Sequence, residues 1–249
     1  MQHDACEPRS FDDGPANDAR RTLMQQAACV AGAWAASGML PTLAGDAQRH
    51  PRSLLVHPNG QPVSAKQVKA GEPLLFNYPF VASPVFLLAL DGAVRDTELV
   101  TEAKQHYAAP AGVGAGRRIV AFSAICAHKL MYPTPALSFI GVRRGGAGEP
   151  AQVIHCCGDN SRYDPARGAS VIAGPAPQPL AAILLEWDAG RDQLHAVGTR
   201  GGEMFPAFFE KYAFRLETEL GRRWRDAVGE TTVVKPASAY SRQWQSCGA

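Results

Sequence analysis

A chain of 249 residues can bury a sizeable core as one large domain or two small ones, without help from cross-links. Its formal charge of +2 comes with no Lys/Arg-rich stripe interleaved with aromatics, which argues against a nucleic-acid surface. With 19 prolines and 24 glycines set between short apolar runs, the composition points to an all-β body rich in turns, and six unevenly placed cysteines are too few for a disulfide scaffold.

The first 50 residues stand apart. Arg20 and Arg21 directly precede a mildly apolar stretch from Thr22 to Leu43, which ends among Pro41 and small residues. The layout resembles a twin-arginine export signal cleaved after Ala44 or Ala47, and it predicts a periplasmic location. Gln25, Gln26 and the many Ala and Gly residues keep the stretch only mildly apolar, which suits export better than anchoring. About 20 apolar residues also suffice to span a bilayer, so membrane association through this segment stays open. A route that exports proteins already folded suits a cofactor inserted before transport.

From Ser53 the chain reads as short strands. SLLVHPNG, GEPLLFNYPF and SPVFLLALDG are apolar runs of strand length closed by Pro, Asn-Gly or Asp-Gly. Pro73, Pro79 and Pro84 interrupt any helical period. RRIVAFSAICAH ends in Cys126 and His128, and QVIHCC ends in His155, Cys156 and Cys157, so two strands each deliver potential ligands. AAILLEWD and QLHAVGT read as closing strands joined by a turn around Gly190. Beyond Gly202, EMFPAFFEKYAFRLETELGRRWR has apolar spacing near 3.6 and a Gly221 stop, which predicts a partly helical extension. Phe205, Phe208, Phe209 and Tyr212 form its apolar face, expected to pack on the protein's own core. The expected organisation is a leader or anchor over 1–50, a β domain over 51–200 and an extension over 201–249.

Three segments carry the chemistry: CAH at 126–128, CCGDNSRYD at 156–164 and GPAPQPL at 174–180. Together they resemble the Rieske iron–sulfur domain over about residues 120–198. That resemblance implies an antiparallel β-sandwich with an inserted cluster-binding subdomain, here about 122–182, and a two-iron, two-sulfur (2Fe-2S) cluster held by two cysteines and two histidines. Cys126 and His128 match the family's first Cys-x-His loop. The second loop of the family runs Cys-x-Cys-His-Gly-Ser-x-Tyr-Asp, and a register fixed on Ser161, Tyr163 and Asp164 puts Cys156 on the ligand cysteine. The two cysteines that form a bridge in membrane members are replaced together, by Met131 and Gly158.

The same register puts Asp159 where the second histidine belongs, a harder ligand than imidazole. His155 and Cys157, both beside Cys156, are the alternatives for the fourth position. Ser161 and Tyr163 match hydroxyls that hydrogen-bond to the cluster in the family and tune it, while Gly174, Pro175 and Pro177 match its rigid lid. The resemblance implies one-electron transfer as a subunit of a respiratory oxidoreductase, with a cytochrome or a molybdenum- or quinol-oxidoreductase subunit as redox partner. An anionic ligand at Asp159 implies a lower potential than two histidines would give. The competing reading is an exported, non-redox β module whose site is degenerate or holds zinc on Cys126, His128, His155, Cys156 and Cys157. Cys247, near the end of the chain, reads as a spare thiol.

Overall fold

The computed structural model describes residues 47–247. Its strands are β1 (Gln48–Val56), β2 (Leu74–Asn77), β3 (Pro84–Ala89), β4 (Thr97–Val100), β5 (His106–Ala109), β6 (Ile119–Ser123), β7 (Leu137–Ser138) and β8 (Ile140–Arg144). They continue with β9 (Gln152–Cys156), β10 (Ser161–Asp164), β11 (Ser170–Ala173), β12 (Ala182–Asp188), β13 (Gln193–Arg200), β14 (Thr231–Val233), β15 (Lys235–Pro236) and β16 (Gln243–Trp244). Two α-helices, α1 (Phe205–Leu220) and α2 (Ala237–Tyr240), lie in the C-terminal part. The protein is therefore an all-β fold with a partly helical extension.

Eight strands form one sheet in the order β14-β1-β13-β12-β6-β3-β2-β15, antiparallel throughout except for β1 beside β14. Only Val234 separates the two edge strands in sequence, so the sheet curls until its edges nearly meet. Period-2 alternation sorts its side chains into two cores. Val85, Leu87, Ala89, Ile119, Ala121 and Ile183 fill the inside of the curl. Phe86, Leu88, Val120 and Phe122 point the other way, into a second core shared with Ile154, Tyr163 and Leu180. The β3 sequence PVFLLA is apolar without interruption because both of its faces are covered. Fully burying a side chain such as Phe86 or Leu88 stabilises by about 1.5–3 kcal/mol, so this outer wall is a firm base for what packs on it.

What packs on it is the segment between β6 and β12. Ser123 N–H donates to Ala181 O at 2.8 Å and Phe122 pairs with Ala182, so the chain leaves and re-enters the large sheet at one point. The insertion carries the four-stranded sheet β11-β10-β9-β8. Cys126 and Cys156 are themselves members of the core between the two sheets.

The extension starts with α1, whose Pro206 sits in the first turn and which stops at Gly221, where φ is +67°. Phe205, Phe208 and Phe209 bury against Phe80, Ile125, Leu130, Tyr132 and Trp224. The chain then returns to both edges of the large sheet through β14 and β15, and its tail pairs β16 parallel to β7 of the insertion. Among the described residues no helix is long and apolar enough to cross a membrane. The expected export signal lies outside those residues.

Candidate metal centre

The first loop follows β6 directly. Cys126 N–H donates to Met131 O at 2.9 Å and Leu130 N–H to Cys126 O at 3.0 Å, with Leu130 in the left-handed region at φ +59°. This tight wrap aims the N–H groups of His128 and Lys129 at the Cys126 sulfur. Cys126 is fully buried and His128 is exposed.

The second loop is the β9–β10 hairpin. Cys156 pairs with Ser161 across it, and Asn160 turns the chain at φ +61°. Asp159 Oδ1 accepts the Ser161 N–H at 2.9 Å, which directs Oδ2 to within 3.2 Å of Cys126 Sγ and 3.1 Å of His128 Nδ1. The Asp159 side chain is only 1% exposed against 39% for His128. Cys126, Cys156 and Asp159 place one ligand atom each within 4.8 Å of one another, and His128 Nδ1 adjoins this group through Asp159.

A third segment closes over the second loop. A Cβ on Gly174, at φ +87°, would lie 2.5 Å from Ser161 Cα, so only glycine lets the backbones approach this closely. Ala176 N–H, between exposed Pro175 and Pro177, donates to Ser161 Oγ at 3.1 Å. The Ser161 hydroxyl in turn bonds to Asp159. From beneath, the fully buried Tyr163 places its hydroxyl 3.5 Å from Cys126 Sγ. Ala127 N–H donates to that hydroxyl oxygen at 3.3 Å, which leaves the phenolic proton for the sulfur.

The electrostatics follow from these contacts. The hydrogen bond from Cys156 holds Cys126 below the ordinary thiol range, against burial and with help from Tyr163 and the His128 and Lys129 N–H groups. Cys156, which gives that bond, is pushed up, and burial pushes it further. Burial acts to raise Asp159, but the Ser161 N–H, both thiols and the Ser161 hydroxyl outweigh it and hold the carboxyl below its usual range. Burial, and then the charge on Cys126, raises Tyr163, so it stays a proton donor. Two buried thiols and a carboxyl thus converge in an apolar surround, an arrangement whose negative charge a cation would neutralise.

Two of the expected alternatives for the fourth ligand lie elsewhere, and strand parity is the reason. Neighbours on a strand point to opposite faces, so His155 turns away from Cys156 and is hydrogen-bonded on both ring nitrogens, to Arg143 at 2.9 Å and Asn160 at 2.7 Å. Cys157 forms a disulfide with Cys247 across a sequence separation of 90 residues. Neither is available to a metal, and Cys247 is a bridge cysteine rather than a spare thiol. The five-residue zinc set loses the same two members. Of the three candidates for the fourth position, Asp159 is the one whose side chain lies beside Cys126, Cys156 and His128.

The bridge ties the tail over the insertion. Gln245 N–H donates to Ser138 O at 2.8 Å, and the Trp244 ring covers Gly141, where a Cβ would come within 2.9 Å of it. At the positions where membrane Rieske proteins carry their own bridge, Met131 fills the space over Gly158, whose Cβ would meet the thioether sulfur at 1.8 Å. Lys129 Nζ links the two loops there by donating to Gly158 O at 3.2 Å. Sequence reasoning also missed the support under the first loop: Tyr132 packs edge-on to Phe208 and Tyr212 of α1, and Lys211 Nζ donates to Lys129 O at 2.7 Å.

The donor set fits a two-iron, two-sulfur cluster: two adjacent buried thiols, a solvent-facing imidazole, and a carboxylate in place of the second imidazole, with hydroxyl donors beside them. No protein-family model matches the chain. Among solved structures, the soluble domain of the Rieske protein II (soxF) from Sulfolobus acidocaldarius is similar at 25% identity, over 62% of this chain and 82% of that one, with a TM-score of 0.44.

Proposed function

We propose that the chain is an exported Rieske-type iron–sulfur protein that transfers one electron at a time as a subunit of a respiratory oxidoreductase. The observation that carries this reading is the convergence of Cys126, His128, Cys156 and Asp159 from two loops, with the Tyr163 hydroxyl on the Cys126 sulfur. A bound 2Fe-2S cluster supplies a reversible one-electron change. Cys126 and Cys156 would hold one iron, and His128 and Asp159 the other.

The chain's own residues set the conditions of that exchange. Core side chains on β3, β6 and β9 exclude water from the thiol side. Tyr163 donates to the Cys126 sulfur, which favours the electron-rich form and raises the potential. The Asp159 negative charge opposes it, so the potential lies below that of a two-histidine centre carrying the same hydrogen bonds. Of the four donors only His128 reaches solvent, so a redox partner approaches the centre most closely there. The fitting partner is a cytochrome or a molybdenum- or quinol-oxidoreductase subunit on the periplasmic face, with the paired arginines ahead of the apolar leader supporting export. Contact of quinol with two histidine ligands is not available to this donor set. Zinc accepts the same four donors, but it gives the Tyr163 and Ser161 hydroxyls only the orienting of ligands, whereas a redox cluster also uses such donors to set its potential.

Potentiometric titration followed by electron paramagnetic resonance tests the reading. The native protein should titrate as a single one-electron centre at a lower potential than Asp159→His, in which the second imidazole is restored. A high native potential with two ionisations near neutral pH, or no difference between the two proteins, contradicts it.

A further inference from the structure

On the face of the four-stranded sheet turned away from the thiols, a polar chain runs from Glu149 through Arg143 and His155 to Asn160. Arg143 gives its two terminal nitrogens to Glu149 at 2.6 and 2.9 Å and its Nε to His155 Nδ1 at 2.9 Å. A guanidinium Nε–H only donates, so Nδ1 accepts and the ring proton resides on Nε2. That proton points at Asn160 Oδ1, 2.7 Å away. His155 is 6% exposed, which favours the same neutral ring.

The chain ends where the second loop is least free. Asn160 lies in the left-handed region at φ +61°, between the carboxylate-bearing Asp159 and the Ser161 whose N–H orients that carboxylate. Asparagine visits this region more readily than most residues but at a cost, so a partner for its side chain decides whether the turn is held. We propose that His155 is a positioning residue. With its tautomer fixed by Arg143, it holds Asn160 left-handed and thereby aims the Asp159 carboxylate at Cys126 and His128. The proposal rests on the reading of this site as a metal centre and explains how a carboxylate is kept in the place of an imidazole.

The test separates the brace from the metal. Amide exchange at Ser161 is followed in metal-free protein, and the paramagnetic resonance spectrum in the iron-loaded form. His155→Leu should speed Ser161 exchange by about five- to tenfold, the equivalent of one hydrogen bond, while amides in β3 and β6 keep their native rates. His155→Gln, which can accept from Arg143 and donate to Asn160, should restore the native rate and the native g-values that His155→Leu shifts. In an Asn160→Gly background the His155→Leu change should add nothing, because the side chain it acts through is gone. Unchanged Ser161 exchange in His155→Leu, no rescue by His155→Gln, or simple additivity with Asn160→Gly overturns the proposal. Should His155→Leu fail to fold, the His155→Gln and Asn160→Ala proteins decide it by native against accelerated Ser161 exchange, because alanine lacks the acceptor and bears the left-handed cost that glycine would not. Iron analysis is independent of these results, so a brace without iron or iron without a brace tells which inference has failed.

Discussion

The two loops of the centre are held by different physics, although the stretch of chain after Gly202 contributes to the support of both. The first loop rests mainly on apolar packing, with a single bond from Lys211 to Lys129 O: Leu130 and Tyr132 lie on the aromatic face of α1, and Arg215 stands over the Tyr132 ring at 5.7 Å. The second loop rests on directional bonds, namely the Cys157–Cys247 bridge, the tail pairing with β7, and the Arg143–His155–Asn160 chain. Close packing holds a loop through the shape of its neighbours, whereas hydrogen bonds and a covalent bridge hold it through direction and register. The directional support sits under the loop that carries the Asp159 carboxylate.

Substitutions can separate the two supports. The largest effect is expected from Phe208→Ala, which empties a fully buried position against Tyr132: a loss of about 3–5 kcal/mol in chemical denaturation, with faster exchange of the 126–132 amides. If the second loop loosened first in this variant, the division of labour would be wrong. Next comes Cys247→Ser, expected to cost roughly 2–4 kcal/mol and to free the tail for tryptic cleavage after the exposed Arg242. A dithiol reductant should reproduce this in the native protein and add nothing in the variant.

Tyr163→Phe leaves the fold in place and removes one donor from the Cys126 sulfur. It should weaken metal binding roughly 10–100-fold and lower the potential, measured by competition with a chromophoric chelator and by redox titration. The smallest effect concerns Glu149. Its carboxyl is held well below its ordinary value of 4.5 by Arg143 first, then by the Gly146 N–H and Arg162. A depressed carboxyl pKa stabilises the fold above the ordinary value, and that stabilisation is lost as pH falls. The thermal midpoint of Glu149→Gln should therefore lie below native at neutral pH, and the gap should close as pH drops below 4.5.

Much of this architecture was legible because its signals are local. The apolar run of β3, the Asp-Gly and Gly190 turns and the Gly221 stop each announce an element within a few residues. The convergence of residues 126–128 with 156–163 was legible only as a motif, since nothing local says that two strand ends meet. The orientation of the second loop was readable and overlooked: once Cys156 faces the core, strand parity sends His155 and Cys157 outward together. The bridge to Cys247 gave no such signal, because a separation of 90 residues is closed by the path of the extension and not by sequence spacing. The β4–β5 hairpin lies in a stretch too mixed in polarity to show alternation.

The central claim is that Cys126, Cys156, His128 and Asp159 together hold a 2Fe-2S cluster. Iron, acid-labile sulfide and zinc measured on one sample of protein purified after export test it most directly, with the reduced form examined by electron paramagnetic resonance. About two irons and two sulfides per chain, with a rhombic signal lost in Cys156→Ser, is the result expected. Stoichiometric zinc, or no metal with the fold intact, would contradict it.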